Sequence, residues 1–190
     1  MAGGWSPELR PTPLPGCFEV RPGVHADARG RFVKTFQAGV LERHGLPAAF
    51  PETFYSESRA GVVRGLHFQL PPFAQGKLVY CVAGKAFDVL VDLRVGSPTF
   101  GRPATFDLDA EDPAMLFVAE GVAHGFCAMA ERTVLVYHVT RVHVPSHDAG
   151  VRWDSAPVEW PVREPVLSER DRLFPTLAEF SSPFRFEGPG

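Results

Sequence analysis

The stretch Lys77-Leu-Val-Tyr-Cys-Val-Ala-Gly-Lys-Ala-Phe-Asp-Val-Leu-Val-Asp-Leu-Arg94 decides the fold. Two runs rich in aliphatic residues, 77–82 and 85–94, flank Ala83-Gly84, and that spacing predicts two strands joined by a hairpin turn. In the second run Phe87, Val89, Val91 and Leu93 share one face, while Asp88, Leu90 and Asp92 share the other. An acid on such a face stands at an edge or lines a cavity. Further extended stretches lie at 17–21, 30–36, 61–68, 104–108, 114–118, 123–129 and 133–140. Asn is absent, so the 18 Gly and 19 Pro carry most of the turning. Helical periodicity is weak and confined to 38–44 and 168–180. Short strands with almost no helix between them predict an all-β chain, an antiparallel jelly-roll barrel with short peripheral helices. The mouth of such a barrel is a natural small-molecule site.

The chain of 190 residues is expected to hold one domain over 16–180, between a flexible lead-in at 1–15 and a tail at 181–190. Phe184 and Phe186 could pack that tail onto the barrel. The loop at 150–160 is expected over the site, with Trp153 and Trp160 as packing supports or as part of its wall. A hydrophobic content of 45% supplies a sizeable core, and a net charge of −3 gives no reason to expect a nucleic-acid or membrane partner. Cys17, Cys81 and Cys127 are too scattered for a disulfide framework, and the latter two sit in apolar runs as inert thiols. With no long apolar run or lipidation motif, a cytoplasmic setting is expected.

Chemistry concentrates between Arg64 and Lys77. Arg64-Gly-Leu-His67-Phe-Gln69 and Gln75-Gly-Lys77 place an arginine, a histidine and one of three lysines within 14 residues. Leu70-Pro-Pro-Phe73 between them is too proline-rich for helix, so the basic groups are expected to converge from strand and loop. An Arg for phosphate, a His for proton transfer and a Lys for a developing oxyanion suit a phosphorylated keto-substrate. In 133–140, Leu135, Tyr137 and Val139 share a face, and taken alone Tyr137 reads as a core aromatic. His124, between glycines in an apolar run, reads alone as a satisfied core histidine.

Together with Phe87-Asp-Val89, Asp92-Leu-Arg94, Ser97-Pro-Thr-Phe-Gly101, Glu120-Gly-Val-Ala-His-Gly-Phe126, Glu159-Trp-Pro161 and Leu167-Ser-Glu-Arg-Asp171, these residues resemble the dTDP-4-dehydrorhamnose 3,5-epimerase family, in order and over about 18–175. The resemblance implies a cupin jelly roll, dimeric, without cofactor or metal, acting on a nucleotide-diphosphate-linked 4-keto-6-deoxy sugar. It implies His67 as the base, Tyr137 as the acid and Lys77 as the charge that holds an enolate. It gives Asp171 as the partner that orients His67 and stabilises its charged form. Arg64 would hold the pyrophosphate, helped by Arg29 of an N-terminal strand that reaches into the neighbouring subunit of a homodimer. His124 would lie near His67 and the sugar, with Gln69 and Arg170 completing the binding set.

The departures from the family pattern gather at the nucleotide. Lys34 stands where the family has a glutamate soon after Asp27-Ala-Arg-Gly30. Glu52-Thr-Phe54 replaces Gln-x-Asn, His143 falls near the thymine-stacking tyrosine, and Asp148 takes the following glutamate position. They point to a changed nucleotide or binding pose, and they admit a 3-epimerase on a GDP- or CDP-linked sugar. The chain is also compatible with a 3,4-ketoisomerase on the same scaffold and with a non-catalytic sugar-nucleotide binder. A metal cupin is a further reading, but the sequence lacks His-x-His, and His138, His143 and His147 fall around Pro145 in an expected loop.

Overall fold

Ala83-Gly84 joins two strands, as expected, but not as a hairpin. In the computed structural model, which describes residues 6–188, β7 (Lys77–Ala83) and β8 (Lys85–Asp92) belong to different sheets. Gly84 carries the chain across at φ +70°, and a Cβ there would meet Thr133 Oγ1 at 2.8 Å, so backbone shape and space both demand glycine. The reason lies in β8, which is buried on both faces and takes neighbours on both sides within its own sheet.

One sheet runs β1 (Glu8–Pro11), β2 (Phe18–Arg21), β10 (Met115–Val118), β7, β12 (Thr133–Val139), β5 (Glu52–Ser58). The other runs β13 (Asp148–Gly150), β6 (Val63–Gln69), β11 (Val122–Ala128), β8, β9 (Pro103–Asp109). Every pairing between these described strands is antiparallel, and β3 (Val24–Asp27) and β4 (Gly30–Val33) form a separate hairpin. This is the expected all-β jelly roll. Among the described residues helix is limited to α1 (Ala38–Arg43) and α2 (Glu169–Arg172), with one 3₁₀ turn at Pro145–His147. No described helix is long and apolar enough to cross a membrane.

Between the sheets, Val79, Leu116, Leu135 and Val139 meet Leu90, Leu108, Val122 and Phe126. Each such burial contributes roughly 1.5–3 kcal/mol before entropy. Val40 and Leu41 of α1 cover the outside of the first sheet at Leu78 and Met115. The second sheet is covered by the chain that follows β13, where Val89, Val91 and Leu93 pack with Val151 and Phe184. Trp153 and Trp160 pack edge to face at 5.7 Å, and Trp160 lies 6.0 Å from Phe87. The 150–160 segment therefore backs the second sheet instead of covering the mouth, and its tryptophans are packing supports.

The expected lead-in is also corrected. From Glu8 onward it is built into the first sheet, and Leu14 is buried in the core; residues 1–5 of the 1–15 segment lie outside the described residues. The 181–190 tail is anchored in turn, by buried Phe184, a Val95–Arg185 bridge, and Phe186 beneath the Arg94 guanidinium at 5.1 Å; 189–190 lie outside the described residues. Asp92 accepts from Arg94, Ser97 and Thr99 at 2.6–2.9 Å, so Asp92-Leu-Arg94 and Ser97-Pro-Thr99 brace a buried turn away from the cavity. Cys17, Cys81 and Cys127 are buried free thiols, and burial pushes Cys81 up to about 11.

Candidate active site

One mouth of the barrel opens into a cavity of about 360 Å³ between the sheets. Arg64 and His67 both line it, although three residues apart on a regular strand they would face opposite ways. A register shift between the His124–His67 and Phe126–Arg64 pairs, a β-bulge at Gly65-Leu66, turns both inward. Gly65 has φ +132°, and a Cβ on it would lie 2.6 Å from Gly125 Cα. Lys77 and Tyr137 face the same space from β7 and β12 of the opposite sheet. The basic groups thus converge from two strands in two sheets, with the 70–73 segment as the connection.

Two His–Asp pairs stand side by side, because His67 and His124 are direct partners across β6 and β11. His67 Nε2 lies 2.9 Å from Asp171 Oδ1, and Asp171 comes from α2 far along the chain. Ser168 caps α2 by accepting the Asp171 N–H, and the Gly65 N–H donates to Asp171 Oδ2 at 3.1 Å. His124 Nε2 lies 2.8 Å from Asp88 Oδ2 on the adjacent strand β8. Asp88 Oδ1 is buried with no hydrogen-bond partner among the described residues.

Burial lowers the His67 pKa, and this outweighs the opposing pull of Asp171, while Lys77 and Arg170 push the same way as burial. Asp171 thus favours the charged form of His67, but not by enough to keep the ring protonated. The imidazole is neutral near pH 7, as a proton acceptor must be. Burial would raise the Asp171 carboxyl, but the hydrogen bond and charge of His67, with Gly65 and Ser168, bring it to about 2. Burial brings Lys77 down to about 8, against Asp148 and Asp88, and its ammonium donates to the His67 carbonyl at 3.3 Å. Tyr137 is raised well above the usual phenol value, again by burial, with Ser56 opposing. With Nε2–H donating to Asp171, the lone pair of the neutral ring is on Nδ1.

Glu52, Phe54, His124, His143, Asp148 and Arg170 also line the cavity. Glu52 accepts the His143 N–H at 2.7 Å, His143 Nε2 lies 3.4 Å from Asp148, and Arg170 donates to both Asp148 and Asp171 beside the His67 ring. Phe54 stacks on Tyr137. Three expected residues lie elsewhere. Gln69 is buried and its amide is spent on Phe73, Val142 and Val144, pinning the loop that carries His143. Arg29 pairs with Asp27 on the exposed β3–β4 hairpin, and Lys34 is exposed just beyond it. His138 belongs to β12, where Thr53 and Tyr80 bind its ring outside the cavity. The sequence left Asp88 open between an edge and a cavity, held Gln75 only within its motif, and did not single out Ser56. Ser56 and Gln75 line the cavity, and Gln75 Oε1 is buried without a partner. Among the described residues no group of three or more His, Cys, Asp or Glu is placed to hold a metal ion.

Comparison with known proteins adds to this geometry. A family model described as dTDP-4-dehydrorhamnose 3,5-epimerase matches residues 11–179. A dTDP-4-dehydrorhamnose 3,5-epimerase of Shigella flexneri is 42% identical over 163 residues, 84% of this chain and 90% of that one. A dTDP-4-dehydrorhamnose 3-epimerase of Streptomyces niveus is 38% identical, over 90% of this chain and 84% of that one. The crystal structure of a 3,5-epimerase from Legionella pneumophila, in complex with dTDP-4-keto-L-rhamnose, superposes with a TM-score of 0.91 at 31% identity, covering 96% of this chain and all of that one (100%).

Proposed function

The chain belongs to the dTDP-4-dehydrorhamnose 3,5-epimerase family, and on that premise we propose that it inverts C3, C5 or both in a nucleotide-diphosphate-linked 4-keto-6-deoxy sugar by removing and returning a proton. It is an epimerase of a nucleotide-linked keto-deoxysugar, built on a cupin-type jelly roll. One observation carries the residue assignments: a neutral His67 and a protonated Tyr137 face one cavity from opposite sheets, with the Lys77 ammonium beside them.

His67, oriented by Asp171, takes the proton α to the C4 ketone. The C–H electron pair moves into an enolate whose oxygen Lys77 stabilises as a point charge. Tyr137 then donates its phenol proton to the same carbon from the other face, which inverts it, and solvent resets both groups. Burial suits this order, since a phenol raised above its usual value keeps its proton until a carbanion-like acceptor forms. Arg64, with Arg170, is placed for the diphosphate. His124 is placed for the sugar.

The nucleotide end favours no single base, because Glu52, Phe54, His143 and Asp148 all differ from the family pattern. Two copies are inferred to pair through the β3–β4 hairpin. In support, its residues are exposed on both faces, Phe32 is 62% exposed and the Arg29 side chain 90% exposed, poised for a neighbouring cavity. Three free thiols fit a cytoplasmic setting. Incubation in D2O with dTDP-, GDP- and CDP-linked 4-keto-6-deoxyglucose, followed by proton NMR, tests the reading. Deuterium at C3 or C5 with one of the three supports it, and none at either carbon with any of them refutes it. Deuterium at C3 alone identifies a 3-epimerase.

A further inference from the structure

Tyr137 is boxed in. Phe54 faces it across the β5–β12 pair, with ring centroids 4.9 Å apart and planes only 16° from parallel. Ser56, two residues along the same face of β5, places its hydroxyl 3.4 Å from the phenol oxygen. The edge of the His124 ring closes a third side at 5.9 Å and 69°. Phe54 itself is 42% exposed on an edge strand, and Tyr137 is its one aromatic partner among the described residues. An apolar ring at that mouth does little for the core, so its consequence is for the phenol it covers.

The ketone of the substrate is flanked by two carbons, and a single phenol must return the proton to each carbon that is inverted. Either the sugar turns or the phenol moves. A ring pressed by Phe54, tethered by Ser56 and edged by His124 does not move freely, so whichever carbon meets it first is served faster. We propose that Phe54 is a positioning residue that holds the Tyr137 phenol against one of the two carbons and thereby sets how far one inversion outruns the other. This deepens the epimerase reading and rests on it.

An aromatic stack of this kind shifts a conformational equilibrium by roughly two- to tenfold. The test follows deuterium at C3 and C5 by NMR for the wild type, Phe54→Asn and Phe54→Tyr, with melting temperatures alongside. Because the ring is half-exposed on an edge strand, both variants are expected to melt close to the wild type. Phe54→Asn should raise the rate of the slower inversion relative to the faster at least about threefold, with KM changed less than that ratio. Phe54→Tyr, which keeps the stack, should leave the ratio at the wild-type value. A ratio unmoved by Phe54→Asn, or equal rates at both carbons in the wild type, overturns the proposal and leaves the epimerase intact. A wild type that exchanges neither carbon with any of the three nucleotides removes both.

Discussion

The two His–Asp pairs are neighbours in one sheet, yet they are built for different work. His124 and Asp88 come from adjacent strands β11 and β8, and both are shut away from water at 4% and 0% exposure. His67 is partly open to the cavity, with 23% of its side chain exposed, and its carboxylate arrives from a capped single-turn helix. The first pair is fixed by the sheet itself. The second is assembled by a loop that must dock before His67 has a partner, and its imidazole can meet substrate. Burial of the carboxylate is common to both and both rings line the cavity, so the greater exposure of the His67 ring is what separates base from support.

Removing the carboxylate behind each histidine is the most direct way to break that comparison. Asp171→Asn should slow deuterium exchange on the order of 10²-fold, because the base loses its orienting partner. If Asp88→Asn slows exchange as much, the two pairs are equivalent and the distinction fails. Asp88→Ala should instead show in stability. It strands the buried His124 N–H, and a urea melt should record a loss of about 1–3 kcal/mol. An unchanged melt would mean that water enters and satisfies the ring.

The pH profile sharpens the same contrast with a smaller effect. Activity needs neutral His67, so kcat/KM is present above the His67 pKa and lost as pH falls through it. That limb should lie below the ordinary histidine value of about 6.5. Asp171→Asn removes a group that raises the His67 pKa, so the limb should move to still lower pH, by about one pH unit. Lys77 must keep its proton, and kcat/KM should fall as pH rises through about 8. A profile flat from pH 7 to 10 would remove Lys77 from the mechanism.

How far the sequence carried depended on distance along the chain and on burial. Arg64, His67 and Lys77 are local, so that part of the catalytic end was legible, whereas Tyr137 alone read as a core aromatic and took its role from the family resemblance. Asp171 is 104 residues from His67, and only family resemblance brought it in. Asp88 was left between edge and cavity, since alternation gives a face but not what the face meets. Gln69 shares the motif and yet is spent on a loop, a choice set by tertiary hydrogen bonds. Glu52–Ser58 is polar and exposed along most of its length, with no alternation to mark it as strand, and so the Phe54–Tyr137 stack was out of reach. Ala83-Gly84 has the spacing of a hairpin, and only the double burial of β8 reveals a corner between sheets.

The central claim is that His67 takes the proton and Tyr137 returns it. Exchange at C3 in D2O, measured for His67→Ala and Tyr137→Phe beside the wild type, tests it most directly. His67→Ala should remain folded and lose exchange at both carbons by about 10²- to 10⁴-fold. Tyr137→Phe should lose inversion more than proton removal, because only the return proton is missing. Wild-type exchange in folded His67→Ala would contradict the account.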